Sequence, residues 1–171
     1  MTPSALKTLF FILIMMLIAS CSSQKIEIQV LVFKPYCGGA KPTPIQADGT
    51  LYSLAGMKLD LSSVDKNNTK KVKQISLDDN GLWKGTLKQG KYILKQADKD
   101  QSLSVLKVKF SIDDTLNYKY IGDKKLDQWT KETDFVFSVV ASDTLRKDFV
   151  LKEKCFVGLN PCFEYIGPKP R

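Results

Sequence analysis

The segment Asp78-Asp79-Asn80-Gly81-Leu82-Trp83-Lys84-Gly85-Thr86-Leu87-Lys88-Gln89-Gly90-Lys91-Tyr92 decides the reading of the fold. Asn80-Gly81 is the strongest turn signal in the chain: asparagine tolerates left-handed backbone and glycine adopts it freely, as a type I′ hairpin requires. Gly90 marks another turn one strand-length later, and Trp83 and Tyr92 supply large apolar area for a core between sheets. Upstream, Met57, Leu59 and Leu61 alternate with Lys58, Asp60 and Ser62, and Ile75 and Leu77 resume the pattern after a polar turn. Near the start, Ile26, Ile28, Val30 and Val32 alternate with Glu27, Gln29, Leu31 and Phe33. A period of two is the signature of a strand with one face buried. Leu82 to Leu87, Tyr92 to Ala97, Leu103 to Ile112, Phe135 to Val140 and Lys147 to Lys154 bring the expected total to about eight strands. No sustained apolar period of 3.6 marks a helix, so the fold class read is all-β, an antiparallel β-sandwich.

The prolines at 35, 42 and 44 with Gly38 and Gly39 make Lys34 to Gly49 a loop, of a length expected to be either functional or mobile. At the other end, Tyr165-Ile166-Gly167-Pro168-Lys169-Pro170-Arg171 cannot continue a central strand, because proline lacks the ladder donor. Phe163, Tyr165 and Ile166 nonetheless bring apolar area that a frayed end would waste. The expectation is that Phe163 to Ile166 docks against the Tyr36 to Ala40 loop, making Tyr36, Cys37, Gly38, Gly39, Phe163 and Tyr165 the candidate partner-binding patch.

Ahead of the first strand, Lys7 precedes the apolar run Leu9 to Ile18, which ends in Ile18-Ala19-Ser20-Cys21. Crossing a bilayer takes roughly 20 apolar residues, whereas a cleaved signal needs a core of about 7 to 15. The four residues closing on Cys21 resemble the bacterial lipobox. That resemblance implies a lipoprotein precursor: a signal peptide over 1–20, a lipidated tether over 21–25, a β-sandwich over 26–154, and a Cys- and Pro-containing tail over 155–171. It also implies several acyl chains on Cys21 and the lipid bilayer as partner, since one chain alone anchors weakly. Ser22 and Ser23 carry no acidic retention signal, so outer-membrane sorting is expected where a cell has two membranes.

The chain has 26 Lys and Arg against 18 Asp and Glu; removal of Lys7 with the signal leaves 25 against 18. Lysines and acids alternate, most densely between Lys58 and Lys109, without the basic face and stacking aromatics of a nucleic-acid binder. No nucleic-acid partner is expected; an envelope protein or glycan is. There is no histidine, which removes Ser-His-Asp and Cys-His catalysis and imidazole metal sites. The acids cluster in turns, as at Asp78, Asp79, Asp113 and Asp114, so no enzyme and no cofactor are expected. Thr115 and Thr144, each after an aspartate and before an apolar residue, resemble acceptors of an envelope O-glycosylation system.

With Cys21 acylated, Cys37, Cys155 and Cys162 remain, enough for one bridge and one thiol over. A local Cys155–Cys162 bridge is the expected pairing, turned by Gly158-Leu159-Asn160-Pro161 and leaving Cys37 free or oxidised. A bridge from Cys37 to either C-terminal cysteine would instead staple the first loop to the tail. A thiol-based redox or soft-metal function using Cys37, Cys155 and Cys162 is the alternative to a binding or structural module.

The segment 78–92, an acidic turn with Gly, an aromatic two residues on, then a Gly turn into a strand starting near Tyr, resembles prealbumin-like domains. That group includes carboxypeptidase-regulatory-like and collagen-adhesin B-type modules, and the likeness spans Met57 to Lys107. It implies that first and last strands are neighbours, which would bring Cys37 near Cys155. Tyr36-Cys37-Gly38-Gly39-Ala40 and Tyr165 to Pro170 also resemble paired signatures of small envelope lipoproteins of unassigned role.

Overall fold

The computed structural model describes residues 23–38, 41–66, 68–141 and 144–168; the expected signal peptide and Cys21 lie outside the described residues. Within them the fold is an all-β sandwich. Ten strands run in the order β1 (Ser23–Lys34), β2 (Thr50–Ser53), β3 (Lys58–Asp65), β4 (Asn68–Ser76), β5 (Leu82–Lys88), β6 (Gly90–Gln96), β7 (Tyr118–Tyr120), β8 (Phe135–Val139), β9 (Thr144–Lys152) and β10 (Phe163–Tyr165). One sheet is built on β1, with β9 along one edge and β5 then β2 along the other. The second has the order β4-β3-β6-β8. Their inner faces supply the core, Ile26, Ile28, Val30 and Val32 of β1 meeting Leu59, Leu61, Tyr92, Leu94, Phe137 and Val139, which is the alternation read along the sequence. Phe149 of β9 stacks on Phe135 of β8 with ring centroids 4.6 Å apart, closing one side of the sandwich.

The Asn80-Gly81 turn does not join neighbouring strands, because β4 and β5 belong to different sheets. It is a corner between the layers. Asp78 caps it, its carboxylate accepting from the N–H groups of Asn80 and Leu82 at 2.9 and 2.8 Å. Only Gly81, at φ +71°, is left-handed there, so the turn is not type I′. Its carbonyl accepts from the Val30 N–H at 2.8 Å, at the point where β1 changes partner from β5 to β2. Trp83 is half-buried at the margin of the core, with the Lys73 ammonium 4.3 Å from its ring centre, whereas Tyr92 is buried among the core residues.

Three expectations are corrected. The predicted strand Leu103 to Ile112 is instead helix α2 (Leu103–Lys109). Leu103, Leu106 and Phe110, spaced by three and four, are the residues that pack inward, and Ser102 caps the first turn. Val105 and Val108, which fed the strand reading, face solvent. Helix α3 (Asp123–Lys131) follows, packing Leu126 and Trp129 on the same small core; helix α1 is the single turn Pro44–Ala47 within the Lys34 to Gly49 loop. Residues 97–134 thus form an insert between the paired strands β6 and β8. At its neck, buried Lys99 reaches Asp134 at 2.8 Å and Asp134 accepts the Gln96 N–H at 2.7 Å. Next, the β1–β9 pair is parallel within an otherwise antiparallel fold. Finally, three residues of the expected 21–25 tether belong to the sheet: Ser23, Gln24 and Lys25 are paired with Lys88, Leu87 and Thr86.

Candidate functional site

Parallel pairing sends β1 and β9 to the same end of the sandwich, with Phe33 opposite Lys152. Cys37 and Cys155 therefore leave that end a few residues further on, side by side, and they form a disulfide with Cα atoms 5.4 Å apart. The expected Cys155–Cys162 bridge is not made. The residues between them are used otherwise: Lys154 and Gly158 exchange two backbone hydrogen bonds of 3.0 Å in a tight turn, and Asn160 ties the chain to the insert by donating to the Phe110 carbonyl at 2.8 Å. Cys162 ends fully buried in the insert core with Leu106 and Leu126, where burial pushes its thiol above the ordinary range. Cys37 is not a free thiol, and among the described residues no three Cys, Asp or Glu side chains gather as a metal-holding group.

The bridge borders a cleft of about 700 Å³ that is lined by Cys37, Gly38, Ile121, Tyr165 and Ile166. Phe156 projects at its mouth, 41 % exposed. That residue holds φ +68°, a left-handed conformation that costs a side chain with a Cβ about 1 to 2 kcal/mol. Its ring lies 4.3 Å from that of Tyr165, and Tyr118 meets Tyr165 edge-on at 5.4 Å. The Tyr118 hydroxyl donates to the Phe156 carbonyl at 3.3 Å. Lys125, Lys154 and Glu164 supply the charge around this aromatic row. Glu153, next in the chain to the cleft-lining Lys154, accepts from the Tyr52 hydroxyl at 2.5 Å; burial first, then that hydrogen bond, push the phenol up to about 12.

Of the predicted patch, Cys37, Gly38 and Tyr165 line this cleft, and Gly38 lies beneath the Tyr36 ring, where a Cβ would come within 2.3 Å of the hydroxyl. Gly39 lies outside the described residues. The described part of the tail, through Pro168, docks elsewhere than expected. Phe163–Tyr165 pairs with β7 of the insert, and Phe163 packs with Tyr120 in the insert core. Tyr165, Ile166 and Gly167 of the tail and Cys37 and Gly38 line the same cleft. Phe156, Ile121 and Lys125 escaped sequence reading, since nothing local marks a non-glycine residue for positive φ or brings an insert residue to the disulfide.

A separate pair of acids converges on the outer face of β3. Lys71 lies 2.7 Å from Asp60 and 3.3 Å from Asp100, and Lys95 lies 3.2 Å from Asp100. Burial works against the Asp100 charge, but hydrogen bonds with Asp60, Lys95 and Lys71 outweigh it and hold the carboxyl below its usual range. Asp60 is 3 % exposed, so these carboxylates are already occupied by lysines. Thr115 is exposed beside Asp114, whose carboxylate accepts from the Leu116 and Asn117 N–H groups; Asp143 lies outside the described residues. No family model matches the chain, and no curated protein matches it.

Proposed function

We propose that the chain is a lipid-anchored, non-catalytic binding module of a bacterial envelope, prealbumin-like in its sandwich. In this reading Cys21 is acylated at one end and the cleft at Phe156 receives an envelope protein or glycan at the other. The observation that carries the reading is the course of β1. Its 12 residues begin beside the lipidation cysteine and end beside the disulfide wall of the cleft. At about 3.3 Å per residue, that strand holds the cleft roughly 36 Å from the anchored end. The neighbourhood of β1 and β9, the first and last strands of the sandwich itself, supports the prealbumin-like kinship. Strain accepted at Phe156 to present an exposed ring supports the cleft as a place of contact. Outer-membrane sorting is part of the same proposal.

Two experiments test it together. Cys21→Ala should move the protein from the membrane to the soluble fraction and abolish incorporation of radiolabelled palmitate; label still entering the variant would refute the anchor. A photo-crosslinking amino acid at Phe156 or Ile166 should trap an envelope protein or glycan in living cells, while one at Thr86, on the opposite half of the sandwich, should not. Equal trapping at all three positions would remove the cleft as the binding surface.

A further inference from the structure

We propose that the end of the sandwich at which β1 begins is a seat for an anionic lipid surface; this rests on the reading of Cys21 as acylated. The register of the strands defines that end. Ser23 lies opposite Lys88, Lys25 opposite Thr144, Lys91 opposite Val64, and Gly90 opposite Val139. Hence β3, β5 and β8 end, and β1, β4, β6 and β9 begin, at the same face. Lys25, Lys66, Lys70, Lys88 and Lys91 stand exposed there, and none has a carboxylate partner among the described residues. Among the described residues the acid of this end is Asp65. Those just above it are taken: Glu27 is held by Lys84 at 2.7 Å and Asp148 by Arg146 at 2.9 Å. The face is therefore a net cation.

Its occupant follows from the length of chain left over. Only Ser22 separates Cys21 from the first paired residue of β1, and two residue steps span at most about 7 Å. An acyl chain on Cys21 enters the bilayer at the headgroups, so this face is held within about one Debye length of the lipid phosphates, close enough for its lysines to feel their charge. A long tether would have left the orientation free. Here the anchor and the lysines act on one face, and the cleft points away from the membrane.

The test uses the acylated protein purified from cells, its acyl chains confirmed by intact mass, in vesicles of phosphatidylglycerol or of phosphatidylcholine. An impermeant amine reagent followed by peptide mapping should label Lys70, Lys88 and Lys91 about fivefold more slowly on phosphatidylglycerol. Lys34 and Lys152, at the far end, should label alike on both. At 1 M salt, where screening shortens to about 3 Å, the protection should vanish. Base lysines that react as fast as Lys152 on both lipids, in a protein whose mass shows the acyl chains, would overturn the seat and leave the anchor standing. A mass without acyl chains would overturn the anchor alone. Sedimentation of that unacylated protein with phosphatidylglycerol vesicles would then decide the seat. The variant with Lys70, Lys88 and Lys91 all changed to Gln should bind about a hundredfold more weakly, and equal binding would overturn it.

Discussion

Replacing Gly81 by alanine tests the corner on which the two sheets hinge, and the structure allows the cost to be built from parts. At φ +71° any residue with a Cβ pays about 1 to 2 kcal/mol. An added Cβ would also lie 2.4 Å from the Val30 carbonyl oxygen, which is backbone and cannot rotate aside. Relief requires the turn to back away from β1 and stretches the 2.8 Å bond from the Val30 N–H to the Gly81 carbonyl. An unsatisfied buried N–H costs about 1 to 3 kcal/mol, so the total is about 2 to 5 kcal/mol. For a domain of this size that lowers the melting temperature by roughly 10 °C. Gly56 is the internal control, with φ +72° and nothing within 4 Å of its added Cβ, so Gly56→Ala should cost only the first part. Thermal melts of the soluble chain starting after Cys21, followed by Trp83 fluorescence, read both. Gly81→Ala and Gly56→Ala melting within a degree or two of each other would refute the close-approach argument. Gly81→Val should be worse still, because β-branching adds strain at positive φ.

Tyr92→Ala should cost about 3 to 5 kcal/mol and Trp83→Ala distinctly less, because the tyrosine ring is buried against Phe137 while the indole is half-exposed under Lys73; urea titrations giving the reverse order would show the core misassigned. Reducing the Cys37–Cys155 bond, whose partners are 118 residues apart, should lower stability by about 2 to 5 kcal/mol, and mass mapping after alkylation without reductant should find only Cys162 free. Deleting Phe163 to Arg171 removes β10 from the insert core, so the Cys162 thiol, inert in the whole chain, should react rapidly with a thiol reagent; an unchanged rate would mean the tail does not cover it. With pH, Asp100, held low by its partners against its burial, together with Asp114 and Asp123, held low first by Asn117 and Lys107 respectively, contributes stability present above the ordinary carboxylate range. That stability is lost as pH falls through their depressed values. Tyr52, raised to about 12 by burial first and then Glu153, contributes stability present below pH 10 and lost as pH rises towards 12, which melts in alkaline buffer would reveal as a loss absent from Tyr52→Phe.

By itself the amino-acid order determined the strands whose side chains alternate. Ile26 to Val32, Leu59 to Leu61 and Tyr92 to Leu94 must each bury one face, and period two is a local property of the backbone. It also determined that Gly81 is left-handed, since the Asx-capped turn around it is built from adjacent residues. The segment Leu103 to Phe110 reads equally as Leu103 and Val105 on a strand or as Leu103, Leu106 and Phe110 on a helix. Only the insert core, with Leu126 from α3 and Cys162 from the tail, selects the second by burying those residues together. Which cysteines pair was likewise decided far from either one: β1 and β9 lie side by side through a parallel register that no local pattern encodes, and it carries Cys37 to Cys155. The cleft exists for the same reason. Its walls come from the ends of β1, β9, the insert and the tail, and segments so distant in the chain meet only when burial of the two cores draws them together.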